Sequence, residues 1–229
     1  MGFFYDSTYI LVILGALLSM IASFQVQSTY AKYKKVHSAS RLTAEQVAAM
    51  ILQGAGIHDV RIERISGDLT DHYSPNEKVL RLSDTVYGSS SVAAIGVAAH
   101  ECGHAIQHDK GYIPITIRSA IVPIVNIGST LSWPVIFLGL ILGATGLLRF
   151  GIILFSLVVI FQLVTLPVEF DASGRAIRIL CDRGILSSQE LSGAKKVLTA
   201  AAMTYVAAMV ASILQLLRLV ILFGGRRDD

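Results

Sequence analysis

Four stretches of this chain are long and apolar enough to cross a lipid bilayer, which needs about 20 mostly apolar residues. They run roughly from Thr8 to Val26, Ala120 to Gly146, Phe150 to Pro167 and Leu198 to Phe223. Pro123 and Pro134 interrupt the second, where the sequence predicts breaks. With 53% hydrophobic and 15% charged residues, the chain is too apolar for an ordinary soluble domain. The first stretch lacks a basic segment ahead of its apolar core, so it reads as an uncleaved anchor rather than a signal peptide. The predicted class is an α-helical integral membrane protein of about four transmembrane helices.

Basic residues orient it. Lys32, Lys34, Lys35 and Arg41 follow the first span, Arg118 precedes the second, and Arg175, Arg178, Arg183, Lys195 and Lys196 separate the third from the fourth. The opposite side holds only Arg149, Arg226 and Arg227, with Asp228 and Asp229 adjoining the last two. This places both termini outside and the body of the chain in the cytosol. The expected organisation is an anchor helix over 1–28, a cytosolic α+β segment over 29–118, a transmembrane hairpin over 119–168, a cytosolic helix over 169–197, and a fourth transmembrane helix with its tail over 198–229. Cys102 and Cys181 fit a reducing compartment without a disulfide framework. No nucleic-acid signature is present. The bilayer is the expected partner, and small-residue rows at Ala200, Thr204, Ala208 and Ser212 and at Gly139 and Gly143 suit either helix packing within the chain or homo-oligomers.

Within the polar segment, residues 43–52 read as a helix, Val60–Ile65 as a strand, and Lys78–Leu82 as a second strand after a turn at Ser74-Pro75-Asn76. The chemistry lies just beyond. His100-Glu101-Cys102-Gly103-His104 sets two imidazoles four residues apart with a carboxylate beside the first. On a helix both rings share one face, where they can grip one Zn²⁺, and the glutamate can deprotonate a bound water. With six histidines and six glutamates in the chain, only ~0.004 such matches arise by chance. Helical context is good: Ser89, Ser90 and Ser91 offer an N-cap, no proline intervenes from Val92 to Lys110, and Ile95, Ala99, Cys102 and Ile106 form an apolar stripe apart from the histidines. Gly103 weakens the helix and suggests close approach of another element.

A catalytic zinc site takes three protein ligands and keeps one position for water. His108 is a poor third, lying about 6 Å further along the helix than His104; a supporting or solvent-facing role suits it better. The hairpin of spans two and three returns the chain to the side of the motif helix, and the first acid on return is Glu169. Asp171 is the alternative, pointing about 200° away on a helix. Candidates to stabilise an oxyanion or support the ligands are His72, Tyr73, His108, Asp171 and Arg175. The strand Lys78–Leu82 is a candidate for pairing with an extended peptide.

The motif, the preceding Leu69-Thr70-Asp71-His72-Tyr73, the following Ala105-Ile106-Gln107-His108, and Pro167-Val168-Glu169-Phe170-Asp171-Ala172-Ser173 together resemble the neutral zinc membrane metallopeptidases of the YugP type, over nearly the whole chain. The resemblance implies a bacterial membrane metallopeptidase with His100, His104 and Glu169 as zinc ligands and Glu101 as base. The residues themselves add the expectation of a zinc-dependent metalloendopeptidase with a small zincin-like cytosolic insertion, acting on a peptide or membrane protein at the bilayer surface. Zinc proteases with a glutamate third ligand often carry an aspartate four residues later; here that position is Ser173. Rival readings are an intramembrane protease and, without catalysis, a zinc-stabilised scaffold or transporter-like module. A closed structural site has no use for Glu101.

Overall fold

A computed structural model describes residues 6–224; Arg226, Arg227, Asp228 and Asp229, used above for orientation, lie outside the described residues. Six helices and three strands follow in the order α1 (Tyr9–Tyr33), α2 (Ala44–Gly54), β1 (Arg61–Ile65), β2 (His72–Ser74), β3 (Val79–Ser83), α3 (Val92–Asp109), α4 (Ile113–Leu142), α5 (Thr145–Asp182) and α6 (Ser188–Phe223). The fold is mostly helical, and α1, α4, α5 and α6 are each long and apolar enough to cross a membrane.

These helices outrun their apolar windows. Pro123 and Pro134 lie inside an unbroken α4, and α5 continues through Pro167 to Asp182. The expected breaks do not occur. Each proline removes one backbone donor, whereas a true break in an apolar span would expose several unpaired peptide groups.

The described residues divide into two compact units, one of residues 6–23, 117–166 and 203–224, the other of residues 24–116 and 167–202. In the first, Ile136, Leu148, Phe155, Val159, Leu219 and Phe223 form a buried cluster. Gly139 lies against the backbone of Leu148, where an added Cβ would come within 2.9 Å of its nitrogen, so this glycine seats a helix of the same chain. Gly143 takes φ +67° in the turn between α4 and α5, a conformation that costs glycine little.

The second unit carries the motif. Its core joins Val47, Ile51, Leu80, Leu82, Ile95, Ala99, Cys102, Leu180 and Ala194 from α2, β3, α3, α5 and α6. Thr43 precedes α2, and its N–H donates to the Gln46 side chain at 3.0 Å, half of a capping box. Ser91 caps α3 by accepting from the Ala94 N–H at 3.2 Å. The sheet order is β1-β3-β2, with β1 parallel and β2 antiparallel to β3. This overturns the expectation that the strand around Lys78–Leu82 pairs with substrate. Both its edges are already filled, so no backbone row is left to offer.

Candidate metal centre

The site begins with a glycine. An added Cβ on Gly103 would lie 2.6 Å from the carbonyl oxygen of Ala172. Helices α3 and α5 therefore meet backbone to backbone there, and any larger residue would push α5 away. The contact on α5 sits between Glu169 and Ser173. Gly103 on α3 lies between His100 and His104, so four side chains converge around one point of closest approach.

His100 and His104 aim their Nε2 atoms at one oxygen of Glu169, at 3.3 and 3.7 Å. One donor atom from each of these three residues lies within 4.8 Å of the others. The imidazoles meet edge to face, 4.7 Å between centroids. Glu169 is 2% exposed and the histidines are half-buried. Two ring nitrogens and a carboxylate oxygen, brought together in a largely dry place, form a donor set that suits Zn²⁺.

The far side of each ring is held. His100 Nδ1 lies 3.0 Å from Ser173 Oγ. His104 Nδ1 lies 3.0 Å from Gln107 Oε1. Gln107 is fully buried, and its amide nitrogen donates to the Val168 carbonyl and to Asp171 Oδ2, both at 2.8 Å. With two acceptors on that nitrogen, the amide oxygen must face His104. His104 then carries its proton on Nδ1, and the lone pair on Nε2 points towards Glu169. Asp171 is fixed in turn by Arg175 Nε at 2.5 Å.

Electrostatics favour a cation here. Burial pushes the His104 imidazole down, but the hydrogen bond its protonated ring donates to Glu169 and the charges of Glu101 and Glu169 outweigh it, so the ring holds a proton above its ordinary range. The surroundings that favour a proton favour a metal ion too. Glu101 is 8% exposed. Its charge also reaches Asp71, whose carboxyl is pushed up by burial first and by Glu101 next, against the pull of hydrogen bonds from Ser83 N–H and Oγ.

The structure thus brings together His100, His104 and Glu169, with Glu101 on the same helix turn. Asp171, the alternative ligand, turns to Gln107 and Arg175 instead. His108 lies against Tyr73, 5.7 Å between ring centroids. His72 Nδ1 donates to the Thr70 carbonyl at 2.9 Å, and Arg81 approaches its other nitrogen at 3.5 Å. Arg175 lies over the Tyr112 ring as well as on Asp171. Sequence reasoning overlooked Gln107. Its signal was available: a glutamine three residues after His104, on the same helix face, has a ring to touch.

Comparison with known proteins follows the same line. The profile of a family described as "Putative neutral zinc metallopeptidase" matches residues 8–224. A protein of Bacillus subtilis (strain 168) named "Putative membrane protease YugP" is 47% identical over 223 residues, which make up 96% of this chain and 99% of that protein. No solved structure matches the chain.

Proposed function

We propose that this chain, which belongs to the neutral zinc metallopeptidase family, hydrolyses peptide bonds at the cytosolic surface of a bilayer with Glu101 as general base. The observation that carries the reading is the convergence within 4.8 Å of Glu169 from α5 with His100 and His104 from α3, the helix that also carries Glu101. Such a set, with α3 packed beside a small sheet, reads as a zincin-like insertion in a membrane protein. Zinc held by these three residues would polarise the scissile carbonyl and make water a better nucleophile at neutral pH.

The chain's own residues supply the rest. Glu101 takes a proton from the attacking water as the new C–O bond forms, then gives it to the amine nitrogen as the C–N bond breaks. Gln107 and Ser173 keep the imidazoles turned towards Glu169. Asp171 and the Val168 carbonyl keep Gln107 from flipping its amide. Tyr73 and His108, whose ring centroids lie 5.7 Å apart, are the candidates for the oxyanion partner. Substrates at this depth are cytosolic tails or loops of membrane proteins and peptides lying near the surface.

The basic residues on the cytosolic side of the sequence support the orientation. Sealed membrane vesicles test activity and orientation together. Inside-out vesicles carrying the protein should cleave an added fluorogenic peptide, and right-side-out vesicles should not. Cleavage only by right-side-out vesicles would reverse the orientation, and cleavage by neither, with the protein present and folded, would remove the peptidase reading.

A further inference from the structure

A second polar feature of the motif-bearing unit takes no part in the metal centre. Gln25, Thr29 and Lys32 recur at helical spacing near the end of α1, and Lys195, Lys196 and Thr199 do so near the start of α6. Together with Tyr33 and Ser192 they line a cavity of about 500 Å³. Three cations and several neutral hydrogen-bonding groups face this space, and no carboxylate is among its lining residues.

The nearest acid to consider is Glu190, which lines an adjoining cavity of about 530 Å³ along with Lys32 and Lys196. Its two oxygens are already used. One accepts the Ala39 N–H and the other the Ser187 N–H, each at 2.7 Å. Glu190 therefore ties down two loops, and its single negative charge against Lys32, Lys195 and Lys196 leaves an excess of positive charge around the two cavities. Like charges gathered around a cavity are costly unless an anion enters it.

Where the cavity lies on each helix says which anion. On α1 it starts at Gln25, directly after Phe24, which is 74% exposed, and after the long apolar run of a candidate span. On α6 it ends at Ala200, just as the apolar run of that candidate span begins. Both helices change from polar to apolar at this level, where a bilayer presents its headgroups. We propose that this cavity binds the phosphate-bearing headgroup of an anionic phospholipid, with Lys32, Lys195 and Lys196 as its cationic contacts. The hydroxyl and amide groups of Thr29, Thr199 and Gln25 supply neutral hydrogen bonds to the phosphate and glycerol oxygens. A purely topological role for the lysines would require charge on this side of the membrane. It would not require that charge to be gathered around one acid-free cavity.

The test uses the full-length protein, delipidated in neutral detergent, and native mass spectrometry with added phosphatidylglycerol or phosphatidylcholine. The wild type should retain phosphatidylglycerol in preference to phosphatidylcholine. The triple variant Lys32→Gln, Lys195→Gln, Lys196→Gln should weaken retention roughly a hundredfold, at about fivefold per lysine. Lys34→Gln, Lys35→Gln, Arg41→Gln removes as much charge outside the cavity and should leave retention near that of the wild type. Should the first triple variant misfold, Lys196→Gln alone should still show the fivefold loss. Equal losses in both triple variants would mean diffuse attraction and overturn the site. So would equal retention of phosphatidylcholine, displacement of the lipid by inorganic phosphate at similar concentration, or displacement by an acidic peptide. None of these outcomes bears on the metal centre, so failure here leaves the peptidase reading standing.

Discussion

Glu101→Gln should keep its zinc and its fold while losing peptidase turnover by at least about 100-fold, the usual loss when a positioned general base is removed. The amide has the shape of the carboxylate and is not among the three converging donors, so His100, His104 and Glu169 are left intact. Position 101 is almost fully buried, so water cannot readily take over as base. The charge change should also be felt nearby. His104 and Asp71 both sense the Glu101 carboxylate, so its loss lowers the proton affinity of each. Zinc content and turnover measured on one preparation check the point. Full turnover in this variant, with host proteases excluded, would take the role of base away from Glu101.

Glu169→Ala should remove zinc as well as activity. Its carboxylate is the only oxygen donor among the three converging groups, and it is held 3.3 and 3.7 Å from the two imidazole nitrogens. Alanine leaves two histidines, which bind zinc far more weakly than a three-ligand set. Asp171→Ala should act one step further out. It frees the Gln107 amide from one of its two acceptors, loosens the tautomer of His104, and weakens zinc by about 10- to 100-fold. His108→Ala should leave zinc in place, because that ring lies against Tyr73. Zinc per protein after gel filtration in a weak chelator ranks the three variants. Tight stoichiometric zinc in Glu169→Ala, with zinc lost from Asp171→Ala or His108→Ala, would move the third ligand elsewhere.

How much of this is legible in the sequence depends on the range of the interaction. A membrane-length apolar run is visible because it needs only composition over about 20 residues. The histidine pair is visible because a helix repeats locally, and Ser91 announces the start of α3 for the same reason. Glu169 is reachable because two apolar runs in succession must return the chain to the side it left. The helix ends are less legible, since Pro123 and Pro134 read as breaks and Pro167 as the end of a span, while unpaired peptide groups in an apolar span make continuity the cheaper choice. Strand order is hardly legible at all. The three residues of β2 are too few to show alternation, and nothing local says that β3 pairs on both sides. The contact of Gly103 with Ala172 and the Gln107 amide belong to a third kind. Each is a single residue whose meaning comes from a partner more than 60 positions away. Ser173 is of the same kind: it lies 73 positions from His100, and its hydroxyl reaches His100 Nδ1.

If His100 and His104 of α3 and Glu169 of α5 hold the zinc ion on which peptide hydrolysis depends, cleavage must follow the metal. Hydrolysis of a fluorogenic peptide by the purified full-length protein in lipid nanodiscs tests this most directly, before chelation, after it, and after one equivalent of zinc is restored. The expected result is cleavage at the start, its loss on chelation with the helical content retained, and its return with zinc. Cleavage that persists at full rate in protein shown to contain no metal would contradict it.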